Sequence, residues 1–401
     1  MKICMLTSIF PRFKGDHCGA GTTIYEMAKK LSSQHKLDMS VVAPNYYQIP
    51  KYEVMEDVKV YRFSYFFPRR LQKLAYGAGI PTNLRNFKLA KIQLPLFVLS
   101  FYLRALRRAK KADILHIHWI LNGLVGVFLG KLFRKPMLIN VHRVVSSGRW
   151  MRLLIKYIVE NVDYLIFNSS YTRDALLKIA EPKKYCVLPC TIDIDKFMPG
   201  ERGKLRKQLN FSDDTLIIFF VGYLIEKKGI MYLLEAMPHI LAKIKNVQLV
   251  LAGGGTDMEN LKQQAKDLNI EKSVSFLGWV KNDDLVNYYR DTDVFVLPSI
   301  IDSKGETETQ GLVLAEAMAC GIPVVGSNVG GIPDVIRPEV GLLAEPKNSK
   351  DLADKIVMIL SDSETRKKMS QAAIHWAREH FSWQSVSQKY IEIYNEILND
   401  K

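Results

Sequence analysis

Short apolar runs alternate with amphipathic stretches along nearly all of this 401-residue sequence, and they form two successive series. Runs near 2–7, 38–43, 58–62, 113–118, 137–141, 163–168 and 185–188 make the first; runs near 216–221, 247–252, 274–277, 293–297, 323–326 and 341–343 make the second. Apolar strands separated by helical periodicity indicate parallel sheets with helical crossovers. The segment Cys190 to Gly203 carries Pro, Gly and charges without periodicity and reads as a linker. No strand is expected after about Leu343, only a helical tail. Two Rossmann-like α/β domains are therefore predicted, facing a central cleft where open sheets usually hold a ligand. Domain boundaries are expected at 1–198 and 199–383, with a C-terminal helix over about 384–401 packing back on the first domain.

The net charge of +15 is unevenly placed. Residues 1–190 carry 31 Lys+Arg against 11 Asp+Glu, whereas residues 191–401 carry 25 against 30. From Val58 to Ala112 there is no acid, and thirteen basic residues are interleaved with aromatics such as Tyr61, Phe63, Phe97 and Phe101. Such a mixture suits an anionic lipid headgroup layer better than a nucleic-acid groove, so an anionic membrane surface is the expected partner and nucleic acid is not. The helical part, about Asn86 to Ala109, is expected to dock, with Arg104, Arg107 and Arg108 as cationic anchors. The longest apolar stretch, Ile92 to Leu103, is interrupted by Gln93 and Pro95 and is read as too short to span a bilayer. Hydrophobic content of 48% argues against disorder. Five scattered cysteines without a Cys-x-x-Cys pair suggest neither a disulfide framework nor a zinc site and fit a reducing cytosol.

Chemistry concentrates in GETETQGLVLAEAMACGIPVV (305–325). Glu308 falls in a loop after a strand, Gly311 opens a helix and Glu316 lies inside it. A helix start offers free N–H groups and partial positive charge, which suit a diphosphate, while carboxylates accept from sugar hydroxyls. Three glycines, Gly253 to Gly255, also stand between a strand and a helix. His116 and His118 alternate with apolar residues and face one side of a strand. His116 is expected to be a core residue satisfied by backbone, and His118, beside Trp119 at the strand end, to line a cleft.

These segments, in order, resemble glycosyltransferase family 4. The two glutamates and AEAMACGIPVV resemble its signature, VGYLIEKKGIMYLLEA (221–236) its phosphate-binding segment, VGGIPDVI (329–336) its donor loop and LPCTIDIDKFMP (188–199) its interdomain linker. SIFPRFKGDHCGAGTTIYEMAKKLS (8–32) resembles its acceptor-side glycine loop. The resemblance covers nearly the whole chain and implies the GT-B fold and a retaining, nucleoside diphosphate sugar-dependent transferase. By position, Glu316 would hold the nucleotide ribose, Glu308 a hydroxyl of the donor sugar, and Lys228 the diphosphate, with Lys227 adjacent. Thr309, Gln310, Gly311, Leu312, Tyr223, Gly253 and Gly254 would complete the donor site. His142 would lie near donor sugar and acceptor, and Gly19, Gly21 and His118 on the acceptor side.

Two departures stand out: Tyr223 replaces the family's usual second phosphate-binding Arg, and Arg143 replaces the Gly that usually follows the histidine. No Asp-x-Asp pair falls where a bridging metal would sit, since Asp193 and Asp195 lie in the linker and Asp291 and Asp293 precede a buried strand. No cofactor and no metal are expected, the electrostatic work falling to Lys228 and helix starts. The expected acceptor is lipid-linked or a polysaccharide in cell-envelope glycan synthesis, and the expected location is cytoplasmic, peripheral on the inner face of the membrane. The departures motivate one rival, a non-catalytic sugar-nucleotide- or membrane-binding protein of the same fold; the basic first half motivates another, a transferase acting on DNA.

Overall fold

The first apolar run, Lys2–Leu6 (β1), is buried from Ile3 onward because it lies between two parallel neighbours. The computed structural model describes residues 1–16, 20–77, 79–144 and 148–400, without the side chains of Ala20 and Pro81. The chain divides into two units, Met1–Leu188 with residues from Val386 onward, and Pro189–Ser385.

After β1 the first unit contains α1 (Ala20–His35), β2 (Asp38–Pro44), β3 (Tyr52–Met55), β4 (Val58–Phe63), α2 (Ile80–Asn86) and α3 (Lys88–Lys111). It continues through β5 (Ile114–His118), α4 (Gly123–Phe133), β6 (Met137–Val141), α5 (Arg149–Glu160), β7 (Tyr164–Phe167), α6 (Ser170–Leu177) and β8 (Tyr185–Val187). Among the described residues these make an eight-stranded sheet, β3-β4-β2-β1-β5-β6-β7-β8, parallel except for β3. Each expected strand is present; β3 was not anticipated. It forms a hairpin with β4 through Glu56 and Asp57, both at positive φ (43° and 62°), a conformation more often signalled by Asn or Gly. The Glu56 carboxylate is gripped there by Lys14 at 2.6 Å and Lys29 at 2.7 Å, and those hydrogen bonds lower its pKa to about 2.

The second unit holds α7 (Lys204–Leu209), β9 (Leu216–Val221), α8 (Ile230–Lys243), β10 (Val247–Ala252), α9 (Met258–Asp267), β11 (Val274–Gly278) and α10 (Leu285–Asp291). Then come β12 (Val294–Leu297), α11 (Leu312–Ala319), β13 (Val324–Ser327), α12 (Ile332–Val335), β14 (Gly341–Ala344), α13 (Ser349–Ser361) and α14 (Ser363–Phe381). Its six described strands run parallel in the order β11-β10-β9-β12-β13-β14. The last helix, α15 (Trp383–Asn399), ties into the first unit: His35 bonds Ser387 at 3.0 Å, and Lys184 bonds Glu396 at 2.8 Å.

Two expectations need correction. Residues 189–198 belong to the second unit rather than closing the first. Ile192 and Phe197 are buried in the second core, Ile192 N donates to the Phe381 carbonyl at 2.9 Å, and Phe197 packs on Tyr289.

The other correction concerns α3. Pro95 does not break it: one 24-residue helix runs through, and by length and composition alone it is sufficient to cross a membrane. One stripe, Ala90, Gln93, Phe97, Phe101, Ala105 and Ala109, is buried. Phe101 stacks on Phe63 at 4.8 Å, Phe97 meets Phe63 and Tyr65 edge-on, and Gln93 satisfies Lys73 N and the Leu71 carbonyl. Burying each ring contributes about 1.5–3 kcal/mol, which holds this face on the unit. The opposite row reads Lys88, Ile92, Leu96, Leu99, Leu103, Arg107 and Lys110, at three- and four-residue steps along one helix face. Ile92, Leu96, Leu99 and Leu103 are 42–66% exposed.

Candidate active site

The loop after β12 is stitched to the single turn Glu226–Lys228 that precedes α8. Ile300 N donates to the Lys227 carbonyl at 2.9 Å, and Ser303 donates to Glu226 through both its N–H and its hydroxyl. Lys228 then forms an ion pair with Glu308. Burial would raise the Glu308 carboxyl, but the charge and hydrogen bond of Lys228, with help from Lys227 and the Thr309 N–H, bring it below the usual range. A lysine side chain and a carboxylate, both largely buried, thus meet at one place.

Glu308 is also held from the 329–336 loop, where Gly331 N donates to its carbonyl at 3.0 Å. Gly311 caps α11 at φ 87°, and a β-carbon there would press on Leu297 at 3.0 Å. Glycine is required at this turn, and it leaves the start of α11 beside Glu308. About one turn into α11, Glu316 accepts the Tyr289 hydroxyl at 2.9 Å. Burial raises its pKa to about 7, against the lowering hydrogen bond from Tyr289.

Gly253, at φ 130°, brings the end of β10 against the end of β9: a β-carbon would stand 1.8 Å from the Gly222 carbonyl oxygen. Gly254 faces the Trp279 indole. Tyr223 is 61% exposed and meets Trp279 edge-to-face at 5.1 Å. In place of a second cation, these strand ends carry an aromatic pair. Thr309 and Leu312 flank Gly311 and are half-buried. Gln310 differs from expectation: its side-chain oxygen accepts from Cys190 N at 3.0 Å and its nitrogen donates to the Cys190 carbonyl at 3.2 Å. Each end of that amide makes one hydrogen bond to the linker, so the side chain clamps the linker to this loop.

In the first unit, three imidazoles form a stacked row at the ends of β5 and β6. His116 and His118 stack at 4.6 Å, His118 and His142 at 5.5 Å, and His118 Nδ1 lies 3.2 Å from His142 Nε2. Burial lowers all three pKa values, to about 3 for His116, about 4 for His142 and well below normal for His118. The row is neutral near pH 7. His116 is indeed core, but side chains rather than backbone satisfy it: Nε2 donates to Asn140 Oδ1 and Nδ1 accepts from Tyr394, each at 2.7 Å. Asn140 in turn donates to the Tyr390 hydroxyl. His118 is fully buried, so it backs His142 rather than lining a surface, and its Nε2 has no partner among the described residues. Trp119, at φ 72°, tilts onto His142 at 4.9 Å. Gly21 is buried in the first turn of α1; Gly19 lies outside the described residues.

Among the described residues no group of three His, Cys, Asp or Glu stands close enough to hold a metal. Asp291 accepts from the N–H groups of Gly203, Leu205 and Arg206, and Asp293 from Ile217 N, Arg202 and Arg206. Tyr289, Tyr390, Tyr394, Asn140 and Trp279 were missed in the sequence, where each stands far from its partner and no local spacing marks it.

Residues 18–196 match the model for Glycosyltransferase Family 4, and residues 201–376 that for Glycosyl transferases group 1. A D-inositol 3-phosphate glycosyltransferase from Corynebacterium jeikeium is 30% identical over 310 residues, 71% of this chain and 72% of the relative. The GDP-mannose-dependent monoacylated alpha-(1-6)-phosphatidylinositol monomannoside mannosyltransferase of Corynebacterium glutamicum is 29% identical over 247 residues, 60% of this chain and 64% of the relative. In structure, sucrose-phosphate synthase from Thermosynechococcus elongatus superposes with a TM-score of 0.80 at 24% identity, covering both chains fully. Matched in both halves by these models, and along most of its length by a relative of the same kind, the chain belongs to glycosyltransferase family 4, a family of enzymes with the GT-B fold.

Proposed function

We propose that this enzyme is a retaining glycosyltransferase that moves a sugar from a nucleoside diphosphate sugar to a hydroxyl of a lipid-linked or polysaccharide acceptor in cell-envelope glycan synthesis, at the cytoplasmic face of a membrane. The observation that carries the reading is the Lys228–Glu308 pair beside the start of α11. As the bond from the sugar's anomeric carbon to the diphosphate oxygen breaks, negative charge grows on the leaving phosphate. A fixed ammonium and free helix N–H groups stabilise that charge without reorganising. Glu308, released from Lys228 by the incoming diphosphate, accepts from a sugar hydroxyl; Glu316 accepts from the ribose. The acceptor oxygen attacks on the face the diphosphate leaves, its proton passes to a phosphate oxygen, and configuration is retained. His142, neutral and backed by His118, orients a hydroxyl by hydrogen bonding. No metal is required in this scheme, because Lys228 supplies the positive charge. The relatives named for inositol phosphate and phosphatidylinositol mannoside acceptors support an acceptor of the lipid or polyol class.

Peripheral attachment is supported by the outer row of α3, where four large aliphatic side chains lie between Lys88 and the pair Arg107 and Lys110. Aliphatic side chains enter the acyl boundary while flanking cations meet anionic headgroups. Arg104 and Arg108 are not free anchors: Arg104 donates to the Lys51 carbonyl at 2.7 Å, and Arg108 covers the Tyr61 ring at 3.8 Å.

Incubation of the purified enzyme with a panel of nucleoside diphosphate sugars, with chelator present and product anomers read by NMR, tests this function. Release of nucleoside diphosphate with a retained glycoside is the expected result. Binding without turnover for every donor would instead favour a non-catalytic sugar-nucleotide protein.

A further inference from the structure

A cavity of about 300 Å³ opens at the opposite edge of the second sheet from Glu308, where Thr292 and Asp293 lead into β12 and Pro323 into β13. Arg202, Arg290, Arg366 and Lys367 all line it. Each guanidinium is held by one edge only. Arg290 Nε donates to the Met198 carbonyl at 3.0 Å, one terminal nitrogen of Arg366 to the Leu360 carbonyl at 2.8 Å, and one of Arg202 to the Asp291 carbonyl at 3.0 Å. Among the described residues the other N–H groups of Arg290 and Arg366 have no acceptor, and neither has Lys367. The acid in the lining, Asp293, is already committed: Oδ1 takes Arg202 at 3.2 Å, and Oδ2 takes Arg206 at 3.1 Å and Ile217 N at 2.9 Å.

Four cations facing one saturated carboxylate repel one another, and they do so in the half of the chain where acids outnumber bases. Guanidinium forks fixed along one edge present their free edge ready-oriented to an anion. A carboxylate would occupy one fork, whereas a tetrahedral phosphate has oxygens for several, with the Ser363 and Ser370 hydroxyls on the same wall. We propose that this cavity binds a phosphate group, as inorganic phosphate or as the phosphomonoester of a small metabolite. The site is separate from the donor diphosphate. Cys320 and Gly321, just past the end of α11, also line it.

Calorimetric titration of the full chain with inorganic phosphate, and separately with a hexose 6-phosphate, tests the assignment. Arg366→Gln and Lys367→Glu should each weaken saturable binding by about tenfold or more, the cost of losing a charged hydrogen bond. Lys228→Ala should leave that component unchanged. Lys367 is exposed, so its variant retains the fold even if Arg366→Gln, which also removes the bond to Leu360, does not. Equal affinities would identify inorganic phosphate as the ligand, and tighter hexose 6-phosphate binding a phosphomonoester. Absence of saturable binding for both probes, or binding lost in Lys228→Ala and intact in Lys367→Glu, would overturn the site while leaving the transferase reading standing.

Discussion

The Tyr289 hydroxyl donates to Glu316 at 2.9 Å, fixing on α11 a carboxyl that burial has already raised to about 7. The hydrogen bond orients the carboxyl proposed to meet the nucleotide ribose, and the burial makes its charge depend on pH near neutrality.

Nucleotide affinity should therefore rise with pH. Only the ionised carboxylate accepts from two ribose hydroxyls, so binding of nucleoside diphosphate should strengthen from about pH 6 to about pH 8, with the midpoint near the raised pKa. Glu316→Gln should bind weakly at every pH and lose the dependence. Stability runs the other way. A raised acid holds its proton more tightly when folded, so its contribution is fully present below the unfolded value of about 4.5 and declines as pH climbs through about 7. Calorimetric titration and thermal melts across that window measure both; a pH-independent affinity in the wild type would remove Glu316 from the ribose.

Under the proposed function, turnover should depend on the Lys228–Glu308 pair. Lys228→Ala should lower kcat by roughly 10²–10³-fold, the scale of removing one preorganised charge stabiliser. Glu308→Ala should lower kcat with little change in nucleoside diphosphate affinity. Tyr223→Arg is expected to leave turnover unchanged or raise it, although it gives up the Trp279 contact. Steady-state kinetics on the three variants decide, and a Lys228→Ala enzyme of near-normal kcat would move the role to Lys227 or a metal.

Removing one hydroxyl from the C-terminal helix should be felt in the core of the first unit. Tyr394→Phe leaves His116 Nδ1 buried without its donor, at a cost of about 1–3 kcal/mol. Urea denaturation should show the lower midpoint. Nucleoside diphosphate affinity should not change, because the proposed donor groups Lys228, Glu308 and Glu316 belong to the other unit.

Membrane attachment should follow the outer row of α3 rather than its arginines. The pair Leu96→Asp and Leu99→Asp removes about 3 kcal/mol or more of apolar insertion, on the order of a hundredfold in partitioning to anionic vesicles. Arg104→Ser and Arg108→Ser should matter little, given their contacts with Lys51 and Tyr61. Vesicle sedimentation at low and high salt separates these outcomes, and wild-type recovery that ignores lipid charge would discard the anionic surface as a partner.

Much of this enzyme was legible in its residues taken in order. Parallel strands covered on both faces produce apolar runs bounded by helical periodicity, so both sheets could be counted from the sequence, apart from β3. That strand turns on Glu56 and Asp57 at positive φ, and the Glu56 carboxylate is held there by Lys14 and Lys29 from elsewhere in the chain. The proposed donor groups were legible for a related reason: Glu308, Gly311 and Glu316 lie on one loop and the helix it starts, so their spacing survives in one dimension.

Tertiary structure alone decided what surrounds them. Glu316 reads as a charged helix residue until Tyr289, 27 positions away, is folded against it. His118 sits at a strand end but is enclosed by stacking on His116 and His142, while Tyr394 reaches His116 across 278 positions. Gln310 belongs to the donor motif by position and to the linker by contact. Along α3 the sequence determined which residues are apolar and which basic; only packing against Phe63 and Tyr65 decided that the phenylalanines turn inward and the row Ile92, Leu96, Leu99 and Leu103 outward. Helical periodicity places residues on faces, but which face is buried depends on the apolar surface that the rest of the chain presents to it.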